Sequence, residues 1–333
     1  MKNKTSIIEI DPKWNFSDYF GSVKVRLSIG RNNYRIVPGL YKLGDPDKLS
    51  DIFVTANYKL SFDLLRRNLE GRNAWILVLN TRGINVWCAA GKGTFGTREL
   101  IKRINLLRLS SIVSHRRLIL PQLGAPGVAS HIIREETGFN IKYGPVRASD
   151  IGRYIENGYK ATEIMRRVQF NFKDRILITP VEIMSSLWQI SLVIIVFIAL
   201  SGVSSSGYSL ESVMNKGLKN AFIILIAYLS GTFLTPTLLP WLPSRYFAGK
   251  GIFIQTLVFL ALIISGLMKL PYIDLIAWFL ISIALTSFLA MNFTGASTYT
   301  SLSGVKKEMR LFIPVQLTAV ITGFVLYVIS KFV

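Results

Sequence analysis

Cysteine is nearly missing from this chain, which holds one in 333 residues, Cys88. A single thiol excludes an intramolecular disulfide. It also excludes a self-contained iron–sulfur cluster, which takes several cysteine ligands. Any redox chemistry therefore draws its electrons from another chain. Histidine is scarce as well, with His115 and His131 alone. One Cys and two scattered His give no zinc-ligand spacing. Acidic residues are outnumbered, 19 against 39 basic. No apolar core follows the opening Met1-Lys2-Asn3-Lys4-Thr5, so no secretory signal is visible. The N-terminal part is expected in the cytoplasm, where Cys88 stays reduced.

The basic excess is uneven. Residues 1–180 hold 30 Lys/Arg against 15 Asp/Glu, and residues 181–333 hold 9 against 4. The basic residues of the first part are scattered, and no DNA or RNA recognition motif accompanies them. Lipid headgroups or an acidic protein partner suit this charge better than nucleic acid.

From about Ile183 the composition turns apolar, in stretches near 183–201, 219–238, 252–268, 271–291 and 311–330. Each has about the length that spans a hydrocarbon core. None carries a central charge; Glu182, Lys269, Asp274 and Arg310 sit at the ends. The expected organisation is therefore a cytoplasmic domain, residues 1–180, and a five-helix transmembrane domain, residues 181–333. With residues 1–180 inside, the 239–251 loop (Arg245, Lys250) and the 292–310 loop (Lys306, Lys307, Arg310 against Glu308) are also inside. This agrees in sign with the positive-inside rule and predicts a multi-pass protein of the inner, cytoplasmic membrane. Uncharged spans argue for an anchor rather than a transport path. The hydroxyl-rich stretch 292–304 is more polar than a simple connection requires.

The first part alternates strand-like and helix-like segments. Ile52-Phe53-Val54 leads to a helix over 61–69 with Ser61 as its cap. Strand 74–79 runs into the Cys88 loop and a helix over 97–107. Strand 117–120 leads to a helix over 128–136, then to a strand over 139–143. This alternation predicts β-α-β units and a parallel sheet. Ligands of such sheets bind beyond the carboxyl ends of the strands. Thr55, Cys88, Gln122 and Ala148 fall near those ends and are expected to ring one site.

Cys88 lies at a strand end, beside a helix start and Lys92, a setting that favours the thiolate. Thiolates are soft ligands and strong nucleophiles. A phosphate-binding P-loop fails here: Val86 stands where its first glycine belongs, and Gly93 where Ser or Thr follows the lysine. A cysteine nucleophile needs a positioned base, yet His115 precedes a strand at the opposite end and His131 sits on a helix. The third alternative is a thiolate ligand to a bulky metal cofactor.

Asn85-Val86-Trp87-Cys88-Ala89-Ala90-Gly91-Lys92 resembles the signature of the mercury-methylating corrinoid proteins. These form a membrane-anchored family related to the large subunit of the corrinoid iron–sulfur protein. The resemblance extends through Ser114–Gly127, through Tyr143-Gly144-Pro145-Val146-Arg147 and into the 292–310 loop, and the five spans match that family's architecture. It implies an α/β Rossmann-like corrinoid-binding domain followed by an all-α transmembrane domain of five helices. It further implies bound cobalamin (a cobamide) with its own base off the cobalt. Cys88 would be the catalytic residue and the lower axial cobalt ligand. The histidine-supplying Asp-x-His-x-x-Gly pattern is absent from the chain, in agreement with a cysteine ligand. Asn85, Val86 and Trp87 would touch the corrin beside Cys88. Thr55, Ser61 and Ala148 would also bind it, by their place at strand ends and by similarity to the related domain.

The implied activity is a corrinoid-dependent methyltransferase that moves a methyl group from methyl-cobamide cobalt to Hg(II), giving methylmercury. A donating thiolate opposite the methyl group favours transfer to a cation. The implied partners are a ferredoxin-like iron–sulfur electron donor, a methyl donor of the tetrahydrofolate type and membrane lipid. The alternative from another class is a non-enzymatic cobamide-binding methyl-carrier subunit of a one-carbon pathway.

Overall fold

The computed structural model describes residues 7–296 and 302–333. The stretch 297–301, within the hydroxyl-rich segment, lies outside the described residues. The chain divides into two compact units, Met1–Val25 with Ile29–Val168, and Arg26–Ser28 with Gln169–Val333.

The first unit begins with β1 (Ile8–Ile10), α1 (Phe16–Arg26), β2 (Gly39–Leu43), β3 (Ile52–Ala56), α2 (Lys59–Asn68) and β4 (Ala74–Leu79). Next come α3 (Val86–Gly91), α4 (Thr97–Leu106), α5 (Leu109–Ile112) and β5 (Arg117–Leu120). A 3-10 segment, Gln122–Gly127, leads to α6 (Ser130–Thr137) and β6 (Asn140–Tyr143), and the unit closes with α7 (Ile151–Glu156) and α8 (Glu163–Arg166). The strands form one sheet in the order β1-β2-β4-β3-β5-β6.

The sheet is mixed, which corrects the expectation of an all-parallel one. β3, β4, β5 and β6 run parallel, but β2 pairs antiparallel with β4, and β1 follows β2. The short β1 and the glycine-led β2 carry little strand signal, so this edge is not legible from composition. Within the parallel part the first strand, β3, lies between the second, β4, and the third, β5. That order reverses direction between β3 and β5 and opens a crevice at their carboxyl ends.

Residues alternate across the sheet. Ile52, Val54, Trp75, Leu77, Leu79, Leu118 and Leu120 pack on one face with residues of α3, α4 and α6. Phe53, Ala74, Ile76, Val78 and Ile119 pack on the other with Phe62 and Leu65 of α2 and Ile151 and Tyr154 of α7. Six consecutive buried residues make β4 a central strand covered on both sides.

The second unit is helical: α9 (Phe172–Leu200), a small hairpin of β7 (Val203–Ser204) and β8 (Gly207–Tyr208), α10 (Leu210–Leu229), α11 (Thr235–Leu238), α12 (Phe247–Ile264), α13 (Tyr272–Asn292) and α14 (Leu302–Ile329). Among the described residues, five helical segments are long and apolar enough to cross a membrane: Phe172–Leu200, Leu210–Trp241, Phe247–Ile264, Tyr272–Asn292 and Ser303–Ile329. Several reach beyond the apolar stretches of the sequence. Lys250 lies in the first turn of α12, and Lys306, Lys307, Glu308 and Arg310 lie on α14, where loops were expected. Glu308 is buried and accepts from the Ala248 N–H at 2.7 Å. A carboxylate that caps another helix needs no loop to stay solvated.

Candidate functional site

The site is built where β3, β4, β5 and β6 end. Asn57, just past β3, is 3% exposed. Its Oδ1 accepts from the Thr81 N–H at 3.0 Å, the Thr81 hydroxyl at 2.9 Å and the Gly83 N–H at 2.9 Å. One amide oxygen thus shapes the turn that follows β4. Arg82 and Gly83 take left-handed backbone there, with φ of 59° and 77°. The turn delivers the chain to α3, whose N-cap is Asn85: its Oδ1 accepts from the Cys88 N–H at 3.0 Å. Cys88 is therefore the third residue of a short helix, with its backbone held by a cap. Its side chain belongs to an exposed residue.

The 3-10 segment after β5 braces α3. A Cβ on Gly127 would collide with the Phe95 carbonyl oxygen and come within 3.1 Å of the Ala90 Cα. A Cβ on Gly124 would meet the buried Phe95 ring at 2.5 Å. Glycine at both positions lets the segment close on α3. By contrast, Gly91 and Gly93 face open space.

A cavity of about 320 Å³ opens in the β3/β5 crevice. Thr55, Ser61, Asn85, Val86, Trp87 and Ala148 all line it. The structure thus brings together, in one wall, every expected cofactor-binding residue except Cys88, which follows Trp87 on the exposed turn of α3. Gln122, expected in the same ring, is not a lining residue; Pro121 and Leu123 on either side are. The Gln122 Oε1 is buried without a hydrogen-bond partner. Ser61 is not a helix cap. α2 begins at Lys59 after Tyr58, which puts Ser61 in the first turn of the helix, where it lines the cavity. Ala148 opens a 3-10 turn, Ala148–Asp150, beyond β6. Lys92 is exposed at the end of α3, with its N–H on the Cys88 carbonyl at 3.1 Å.

Sequence reasoning missed three parts of the wall. Leu64 and Leu65 come from α2, Gly144 and Pro145 from the end of β6, and Ile151 from α7. The Gly-Pro pair was a visible turn signal; the leucines read only as helix core. Asn57 was also missed as an organiser, although an Asn directly after a strand is a common turn former. The walls are otherwise apolar, and the Thr55 and Ser61 hydroxyls are the polar groups of the β3–α2 side. Trp87, 44% exposed, stands at the rim beside the thiol.

Comparison with known proteins covers this region and stops short of the apolar helices. Residues 30–155 match the family model of the CO dehydrogenase/acetyl-CoA synthase delta subunit. The gamma subunit of the acetyl-CoA decarbonylase/synthase complex of Archaeoglobus fulgidus is 29% identical over 135 residues, 40% of this chain and 28% of that protein. Those of Methanopyrus kandleri and Methanocaldococcus jannaschii are each 30% identical, over 129 and 131 residues. The chain spans little more than a quarter of the length of these curated relatives. All cavity-lining residues fall inside the matched stretch.

The donor set fits a large, pre-ligated metal cofactor. Among the described residues, no three His, Cys, Asp or Glu side chains come together to hold a bare ion. One exposed thiol can still add a single ligand to a metal that its own cofactor already holds. Gly91 and Gly93 face open space and the indole of Trp87 is exposed, so no side chain crowds the surface beside Cys88 there.

Proposed function

We propose that the first unit binds a cobamide and that the chain carries a methyl group for transfer. The observation that carries this reading is the convergence of Thr55, Ser61, Asn85, Val86, Trp87 and Ala148 on one cavity, with the lone, exposed Cys88 next in sequence to Trp87. A cobamide supplies a cobalt centre that accepts a methyl group and gives it up. Cys88, an exposed thiol, would hold it through Sγ. The Asn85 cap and the Asn57-pinned turn fix the backbone that carries that sulfur. Trp87 and Val86 would exclude water beneath the ring. The cavity is of nucleotide size, and Thr55 and Ser61 would offer hydroxyls to a polar tail there.

The relatives' names place them in acetyl-CoA decarbonylase/synthase complexes. This supports, for the present chain, a methyl-carrier subunit of a one-carbon pathway that works with other subunits. A second reading is a methyltransferase acting on Hg(II). It is favoured by the Asn85–Lys92 run, which resembles the mercury-methylating family, and by five apolar helices outside the matched stretch. In both readings the reductant is a ferredoxin-like iron–sulfur protein, since one Cys cannot hold a cluster. The methyl donor is of the tetrahydrofolate type. The chain would lie in the cytoplasmic membrane with its first unit inside, consistent with Arg245, Lys250, Lys306, Lys307 and Arg310 against the more balanced 202–218 stretch.

The test is an absorption spectrum of anaerobically purified protein reconstituted with cobalamin, wild type against Cys88→Ala. A thiolate–cobalt band lost in the variant is expected. Identical spectra with bound corrinoid would discard the thiolate ligand, and absence of binding would discard the cobamide reading. Incubating the methylated protein with Hg(II) and no other subunit then separates the acceptors. Methylmercury would favour the transferase, and its absence the carrier.

A further inference from the structure

α1 is amphipathic in reverse. The side it turns toward the domain is polar: Asp18 and Ser22 are buried there beside Val25, at spacings of four and three residues. The Asp18 carboxylate receives Lys59 at 2.6 Å and Arg66 at 2.6 Å, and both cations also bind Asp63. The side it turns outward is apolar. Phe16, Phe20 and Val23, spaced four and three residues apart, are 84%, 56% and 53% exposed. Phe16 and Phe20 stack at 6.2 Å, and the exposed Lys24 places its ammonium 5.7 Å from the Phe20 ring. Lys13, just ahead of the helix, is exposed too. The neighbouring exposed acid, Asp11, turns its carboxylate to the Lys13 N–H at 2.8 Å.

An apolar outer stripe flanked by lysines is the pattern of a helix that lies in a membrane interface. Two further facts select lipid over a protein partner. The first 180 residues carry a net positive charge, which complements an anionic leaflet. The chain also continues, after three intervening residues beyond Val168, into the apolar helix α9 at Phe172. That connection extends to roughly 14 Å at most, so the unit stays within reach of the bilayer that α9 enters. We propose that α1 lies on the anionic membrane surface, with Phe16, Phe20 and Val23 in the headgroup region and Lys13 and Lys24 against lipid phosphates. The Asp18–Lys59–Asp63–Arg66 cluster, in which Lys59 alone is partly exposed, then fastens this surface helix to α2, which contributes residues to the cavity wall.

The test uses full-length Cys88→Ser protein with a nitroxide at Val23→Cys, in vesicles of phosphatidylcholine with and without phosphatidylglycerol. A label at Glu135→Cys, exposed on α6, is the water-facing reference. In anionic vesicles the position-23 label should meet dissolved oxygen several-fold more often than a water-soluble nickel chelate, the reverse of position 135. The double variant Lys13→Glu, Lys24→Glu should lose most of that contrast. A position-23 label that behaves like position 135 would overturn the proposal. So would a label shielded from both reagents, which means that protein covers the stripe, or equal insertion without anionic lipid.

Discussion

At the residue scale, the site depends on a few side chains whose work is geometric. Asn57 accepts three hydrogen bonds through one oxygen. Replacing it with Ala leaves the buried Thr81 N–H and Gly83 N–H without that acceptor, at a cost of about 2–3 kcal/mol. We expect Asn57→Ala to lower the denaturation midpoint and to weaken cobalamin retention, measured by gel filtration of reconstituted protein. Gly127→Ala should act on the same helix from its other side, because the added methyl would meet the Phe95 carbonyl. Its expected signature is lost corrinoid binding with far-ultraviolet circular dichroism nearly unchanged; unaltered binding would remove the bracing role. Asp18 is a third such residue. Burial pushes its carboxyl pKa up, but hydrogen bonds from Lys59, the Asn15 backbone and Arg66 outweigh this and bring it down to about 2. The ionised form is thus favoured by folding. Its contribution, about 2 kcal/mol, is complete above pH 4 and is lost as pH falls toward 2. Asp18→Asn should flatten that part of the stability profile; a profile with the same slope would assign the acid sensitivity to other carboxylates.

At the scale of elements, legibility follows burial. β4 coincides with the apolar run 74–79, and β5 with Leu118-Ile119-Leu120 after Arg117, because strands covered on both faces are apolar where they are buried. β1, at one edge, and its neighbour β2 escaped notice, since Glu9 and Lys42 break their apolar character and Gly39 opens β2. Four residues that line the cavity were legible: Thr55 as a strand-end residue, and Asn85, Val86 and Trp87 through the resemblance carried by the 85–92 run. The leucines of α2 were not, since a helix residue facing a cavity has the same spacing as one facing a core. In the helical unit, the polar residues hold helices together. Thr286 on α13 donates to the Ala227 carbonyl at 2.8 Å, and Gln316 on α14 donates to the Ser287 hydroxyl at 2.8 Å. Gly251 on α12 lies so close to α13 that a Cβ would meet the Thr286 carbonyl and the Ala290 Cβ at 2.9 Å each. Small residues at such crossings allow the helices to approach. Gly251→Leu should therefore separate α12 from α13 and lower the thermal midpoint in detergent, while Gly266→Ala, outside these crossings, should act only through its positive φ.

At the scale of the whole molecule, the two units bury separate cores. The sheet packs between the clusters around Leu77 and around Ile76, and the helical unit packs around Phe197, Trp278 and Tyr327. A unit with its own core can fold alone. All cavity-lining residues lie between Phe53 and Ile151, inside the first unit. A fragment ending at Val168 should accordingly bind cobalamin and keep the band assigned to Cys88. It should also be prone to associate, because Phe16, Phe20 and Val23 have no lipid to cover them, and Phe16→Ser with Phe20→Ser should relieve this without changing the spectrum. Methyl transfer by that fragment to a soluble acceptor, compared with the full chain in vesicles, then measures what the helices add. Equal rates would make them an anchor. A rate restored only in vesicles would mean that the five helices take part in presenting the acceptor or the reductant, and the apolar spans would have to be read as part of the working site.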